Sequence, residues 1–372
     1  MSEKMKSVIG SLLRQDRLKI DREEGNSKVI DLRSDFLSRP TPKMIEAMMK
    51  AAQSTCSFGL REDPYQKRLE ELAANILGKE DALFFPTCTM CNQTAIHIFC
   101  SPGEKFIAEA TSHVIFSEAG APASLSGVMP IPIRGDMGCM DLKTMEEAID
   151  PGDVQRSRSS LIILENTHVW AGGTVLSPLQ MKQFREVAHR YQIPIHLDGA
   201  RVFNAAVYFN MPTAELTRDA DSVSVSLNKG LSAPMGAVLA GSQSFIQEAL
   251  RVRQMFGGGW RPTNILSAAG IVALETMINR LAEDHINARR LAEGLNGCPG
   301  VSVDLRRVQT NLVVVKIDHA KLTLRGFIEA LTKQGVLVIP FGSNALRMAI
   351  HWEVTEKEVN NVIETFHRIA EG

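Results

Sequence analysis

The chain has 372 residues, 44% of them apolar and 22% charged, and a formal net charge of −1. So even a balance excludes the basic excess of a nucleic-acid or anionic-membrane binder, and the length suggests about two domains. No apolar run reaches the ~18 residues of a membrane span, and six cysteines scattered over so long a chain point to a reducing cytoplasm rather than to a disulfide-built secreted domain.

In residues 1–28 the apolar side chains Met5, Val8, Ile9, Leu12 and Leu13 fall at helical spacing. No apolar core here is long enough for a signal peptide. The expectation is an N-terminal extension: an amphipathic helix and a charged linker, lying on the surface or against a partner subunit. Residues 29–32 read as a short strand entering Arg33-Ser34-Asp35. Thr41 and Pro42 open a helix that runs to Ala52, and Asp63-Pro64 open another that Gly78 ends. Residues 82–86 form a compact apolar strand. Thr87-Cys88-Thr89 follow it and lead into a helix through Phe99. A strand at 105–108, a helix at 114–120 and a strong β run at 160–164 come next, the last ending in Glu165-Asn166-Thr167-His168. A helix over 179–191 precedes a strand over 193–197, and a further strand covers 222–227. This alternation predicts an α/β domain with a mostly parallel sheet, residues 29–278. A long helical stretch over 265–295 then leads into a smaller α+β domain, residues 279–372, with strands at 301–303, 312–317, 336–339 and 346–349 and helices at 324–334 and 356–370.

Two of these strands end in reactive groups. Asp198 closes the strand at 193–197, and Lys229 lies just beyond the strand at 222–227, before Gly230 and Pro234. In open parallel sheets such groups gather at the carboxyl ends of strands. A lysine for a Schiff base and an acid to keep a ring nitrogen protonated suit pyridoxal phosphate. No G-x-G-x-x-G follows the first strand, which argues against a nicotinamide dehydrogenase. Cys88 and Cys91 have C-x-x-C spacing, but no second pair of matching ligands accompanies them, so no metal is expected.

The strings IDLRSDFLSRPTPKM, LFFPTCTMCNQ, SHVIFSEAGAP, IILENTH, HLDGARVFNA, SLNKGLSAPMG and FGGGWRPTNILSAAG carry a resemblance. In their order and spacing the chain from about residue 29 onward resembles the low-specificity threonine aldolases, fold type I pyridoxal-phosphate enzymes of the aromatic amino-acid β-eliminating lyase/threonine aldolase group. The resemblance implies retro-aldol cleavage of an L-β-hydroxy-α-amino acid to glycine and an aldehyde, in a homotetramer or dimer. It makes Lys229 the Schiff-base lysine, Asp198 the partner of the ring nitrogen and Arg201 the neighbour of the phenolic oxygen. It places His113 over the ring and His168 beside the substrate's β-hydroxyl, leaving open which of them, or a water, is the base. Cys88 and Thr89 stand at the phosphate, where the family has Gly-Thr, and Arg261 reaches a phosphate across a subunit interface. Ser34 and Arg347 form the substrate clamp.

Departures from the family pattern fall near the substrate. Leu60-Arg61-Glu62 stand where a Tyr-Gly pair usually precedes Asp-Pro, Cys88 replaces a glycine, and Val169-Trp170 follow the ENTH string. An apolar Val169/Trp170 wall would favour a bulkier substrate such as phenylserine over threonine. The alternatives are a relative that performs β-elimination or aldol synthesis, and an aldolase-like protein that binds without catalysis.

Overall fold

A computed structural model describes residues 29–372, so the expected N-terminal helix and linker lie outside the described residues. The chain divides into two compact units. The larger comprises residues 38–282, and the described part of the smaller comprises residues 29–37 and 283–372. Where the sequence suggests a domain starting at residue 29, residues 29–37 instead group with the C-terminal unit. The reason is pairing: Ile30–Asp31 forms a parallel ladder with Val336–Leu337.

The larger unit is built on a seven-stranded sheet. In chain order its strands are β1 (Asp81–Phe85), β2 (Lys105–Glu109), β3 (Met129–Ile133), β4 (Ser159–Glu165), β5 (Ile195–Asp198), β6 (Ser222–Ser226) and β7 (Ala237–Gly241). Their spatial order is β1-β7-β6-β5-β4-β2-β3. Strand β7 alone runs against the others. The inner strands are buried along nearly their whole length, which is why β4 reads SSLIILE without polar alternation. Neither β3 nor β7 is anticipated from sequence. MPIPI carries two prolines that a ladder tolerates only at a sheet edge, and β3 is the edge strand.

Helix α1 (Pro64–Leu77) starts where Asp63 accepts bonds from the N–H groups of Tyr65 and Gln66, and it ends at Gly78 in the left-handed region. Helix α2 (Cys88–Phe99) is capped by Thr87, whose hydroxyl accepts from the Met90 N–H at 3.1 Å. Helix α3 (Gln243–Met255) packs beside α2, and α4 (Asn264–Thr276) packs on α1. The helical stretch expected over 265–295 is two helices, α4 and α5 (Leu281–Leu295), and no glycine or proline marks the break. Among the described residues no single helix is long and apolar enough to cross a membrane.

A partly buried charged network ties α1 to the sheet. Arg61 Nε bonds Glu70 at 2.7 Å, and its two terminal nitrogens grip Asp81 at 3.0 and 2.7 Å. Glu70 also accepts from Gln66 and from the Phe84 N–H, while the buried Arg253 donates to the carbonyls of Phe84 and Leu60. The Arg61 departure noted in the sequence is therefore structural, because it neutralises a buried carboxylate.

The smaller unit has a four-stranded antiparallel sheet of Val301–Ser302, Leu312–Ile317, Ala345–Ala349 and Ile339–Phe341. Its core joins Val313, Val315, Leu346 and Met348 of the sheet to Phe327 and Phe366 of helices Leu324–Lys333 and Glu356–Glu371. Each such side chain, fully buried, stabilises the unit by about 1.5–3 kcal/mol.

Candidate active site

Four parallel strands of the larger unit end in polar residues on one edge: Glu109 on β2, Glu165 on β4, Asp198 on β5 and Ser226 on β6. Gly199 lets the chain turn there. A Cβ on it would come within 2.8 Å of the Ser224 carbonyl oxygen, which the Gly199 N–H bonds at 2.9 Å. Asp198 is 2% exposed. Its Oδ2 accepts from Asn92 Nδ2 at 2.8 Å and its Oδ1 from the Ala200 N–H at 3.2 Å.

Lys229 lies in the loop after β6, partly buried. Among the described residues its ammonium has no hydrogen-bond or ion-pair partner. An amine that must lose its proton and form a covalent bond is best left unpaired in this way. At the opposite corner the N–H groups of Cys88 and Thr89 open α2 with no acceptor among the described residues. These are the orphan donors that make a helix N-terminus an anion site. Cys88 occupies the first helical position without a left-handed backbone, so glycine's freedom is not needed there. Burial pushes its thiol up to about 12, with Asp198 adding to the effect and Lys229 opposing it. Cys88, Asp198 and Lys229 thus share one electrostatic environment.

The two histidines sit differently. His113 begins a one-turn helix after β2, and its N–H bonds Glu165 Oε2 at 2.7 Å. Its Nδ1 pairs with Glu118 Oε1 at 2.8 Å, and its Nε2 has no partner among the described residues. Its side chain is 33% exposed. Burial pulls its pKa down, but Glu118, Asp198 and Glu165 outweigh burial and hold it above the ordinary histidine value. His168 is 1% exposed. Its Nδ1 accepts from the Ala171 N–H at 3.2 Å. Its Nε2 stands 3.1 Å from Glu109 Oε2, off the line of a full hydrogen bond, and 3.9 Å from Glu165 Oε2. Burial also opposes its charging, and Glu165, Glu109 and Asp198 together raise its pKa. Gly138, at a φ of +81°, lies against this ring, where a Cβ would come within 2.5 Å of it.

Sequence reasoning missed the carboxylates and amides behind these groups. Glu109 accepts from the Thr111 N–H and hydroxyl at 2.6 and 2.7 Å. Burial raises its pKa, but His168 and Thr111 prevail and hold it at about 2. Glu118 accepts from Asn92 and Gln93 at 2.9 and 2.6 Å. His196, pushed down to about 4 by burial, faces Ser222 and Asn92. The available signal was position: Glu109, Glu165 and His196 all lie on strands that lead to this edge.

The larger unit brings Cys88, His113, His168 and Lys229 into the electrostatic surroundings of Asp198; Thr89 follows Cys88 on α2, and the buried Arg201 precedes helix Val202–Phe209. Arg261 is elsewhere in that unit. It is exposed, its Nη1 bonding the Phe58 carbonyl at 2.6 Å and its guanidinium lying 5.2 Å from the centre of the exposed Phe58 ring. Ser34 and Arg347 belong to the smaller unit, where Arg347 Nη2 bonds the carbonyl of Arg33 at 3.2 Å. Trp170 packs edge-on to Phe116 with ring centres 4.7 Å apart, and its Nε1 donates to Ser117 at 3.0 Å.

The beta-eliminating lyase family model matches residues 31–319. The low-specificity L-threonine aldolase 1 of Arabidopsis thaliana is 39% identical over 344 residues, covering 91% of this chain and 96% of that protein. The low specificity L-threonine aldolase of Escherichia coli K12 is 36% identical over 335 residues, covering 90% of this chain and 97% of that protein. The solved threonine aldolase of Leishmania major matches with a TM-score of 0.80 at 19% identity, over 91% of this chain and 99% of that one, and so supports the fold. The chain belongs to the beta-eliminating lyase family, among the low-specificity threonine aldolases.

Proposed function

We propose that the protein cleaves an L-β-hydroxy-α-amino acid, such as threonine, allo-threonine or phenylserine, to glycine and an aldehyde, using pyridoxal phosphate. The observation that carries this reading is a Lys229 ammonium without a partner among the described residues, sharing one electrostatic environment with the buried Asp198 at one sheet edge. The donor set fits the cofactor. Lys229 would hold it covalently, Asp198 would face its ring nitrogen, and Arg201 its phenolic oxygen. The Cys88 and Thr89 N–H groups with the Thr89 hydroxyl would take its phosphate, and His113 its face. When bound, the group supplies an electron sink for the breaking Cα–Cβ bond.

The chain's own residues do the rest. Glu118 holds the Nδ1 of His113, which leaves Nε2 to take a proton from the substrate's hydroxyl. His168 is the lesser base, because both of its nitrogens face protein groups. It serves instead to hold the ENTH turn and Glu109. The protein acts in the cytoplasm as a homo-oligomer, a dimer or tetramer, in which the exposed Arg261 reaches a second copy's phosphate.

The test is an absorbance spectrum after incubation with pyridoxal phosphate, with threonine and phenylserine as substrates. The expected result is a visible band, lost in Lys229→Ala, and aldehyde release from both substrates, faster from phenylserine. A band without aldehyde moves the reading to another β-chemistry. No band sinks the enzymatic reading, and clear preference for threonine sinks the role of Trp170 in favouring large substituents.

A further inference from the structure

We propose that Asn92 is a positioning residue: it holds Asp198 and Glu118 side by side, and through Glu118 it fixes the nitrogen of His113 that carries the proton. This rests on the reading that Asp198 and His113 serve one site.

Asn92 is 1% exposed, on the second turn of α2. Its Nδ2 gives one hydrogen to Asp198 Oδ2 at 2.8 Å and one to Glu118 Oε1 at 2.9 Å. Its Oδ1 accepts from Ser224 Oγ at 2.7 Å and faces His196 Nε2 at 3.1 Å. A side-chain amide has two donors and two lone pairs, and here all are used. Reversing the amide would aim its oxygen at two carboxylates, so only one orientation is stable. It also sets the buried, neutral His196, which must carry its proton on Nε2.

The need for such a group follows from distance. One oxygen of Asp198, one of Glu118 and a ring nitrogen of His113 all lie within 4.8 Å of one another. Two carboxylates this close in a buried setting repel, and one takes up a proton unless donors separate them. Asn92 supplies one N–H to each, while His113 and Gln93 complete Glu118. The charged groups facing His113 are then Glu118 from its own segment, Asp198 from the end of β5 and Glu165 from the end of β4. A change of charge at Asp198 reaches His113 directly across that distance and also through one amide and one carboxylate.

The test follows the His113 titration by NMR in full-length, cofactor-free protein, and separately measures pyridoxal phosphate affinity. Asn92→Leu keeps the volume and removes the donors. It is expected to lower the His113 midpoint by about one pH unit, a tenfold loss of proton affinity, because the two carboxylates beside His113 lose the N–H donors that stand between them. Cofactor affinity falls about tenfold with it. Glu118→Gln lowers the same midpoint, and adding Asn92→Leu to it brings little further change, as for residues acting through one another. His285, in the smaller unit, should not move in any variant. An intact fold by circular dichroism with the His113 midpoint and cofactor affinity unchanged in Asn92→Leu overturns the proposal, as do fully additive effects in the double variant. Should Asn92→Leu fail to fold, Asn92→Ser keeps one hydroxyl donor and must show the same shift at smaller size, and no shift there overturns the proposal equally. Wild-type protein without aldolase activity would defeat the functional reading and leave the titration untouched.

Discussion

Two corners of one sheet edge pair a histidine with a glutamate, and they use the pair differently. At His113, Glu118 occupies Nδ1, and Nε2 stays open on a ring that is a third exposed. At His168, a backbone N–H faces one nitrogen, Glu109 faces the other, and the ring is buried. Both histidines are raised above the ordinary value by carboxylates, so their pKa directions do not separate them. Access does. A proton carrier needs one nitrogen held and one free, whereas a buried ring with protein groups facing both nitrogens is built to stay.

The largest expected effect would break this comparison outright. His113→Phe keeps a flat ring but no nitrogen, and it should lower kcat by about 10²-fold or more with a smaller change in KM. His168→Asn should cost less in kcat and more in thermal stability. The reverse order, read by steady-state kinetics and calorimetry, would exchange the two roles.

Next in size is the pH dependence of the buried pair. Glu109 titrates at about 2 in the folded chain against an ordinary 4.5, so the stability it contributes is present above 4.5 and lost as pH falls through its folded value. His168 is raised from 6.5, so its contribution is full below 6.5 and lost as pH rises through the raised value. The pair therefore stabilises the fold most between 4.5 and 6.5. Glu109→Gln should cost on the order of 2 kcal/mol there and less on either side. Denaturant unfolding across pH checks this, and a loss independent of pH would show that Glu109 acts by packing alone.

The smallest effect sharpens the same corner. Thr111→Val removes the hydroxyl bond to Glu109 and leaves the N–H bond in place. It should cost about 1 kcal/mol and start the acid-side loss at a higher pH. An unchanged acid limb would mean that His168 by itself holds the carboxylate down.

Much of the fold was legible because it rests on local rules. Asp63-Pro64 and Thr41-Pro42 announced helix starts, Gly78 an end, and the apolar runs before Glu165, Asp198 and Lys229 read as buried strands. The reactive ends of those strands followed, since a parallel sheet delivers them to one edge. Strand β3 was hidden by its prolines, and the placement of residues 29–37 by a pairing to residues some 300 positions away. The sequence alone determined which residue types reach the edge. Only the tertiary structure decided which histidine keeps a free nitrogen, and which amide stands between two carboxylates. Asn92 and Asp198 are 106 residues apart, and no periodicity encodes a partner at that separation. Sheet order brings them within 2.8 Å, and in a buried site hydrogen bonding at that range settles the state of each group.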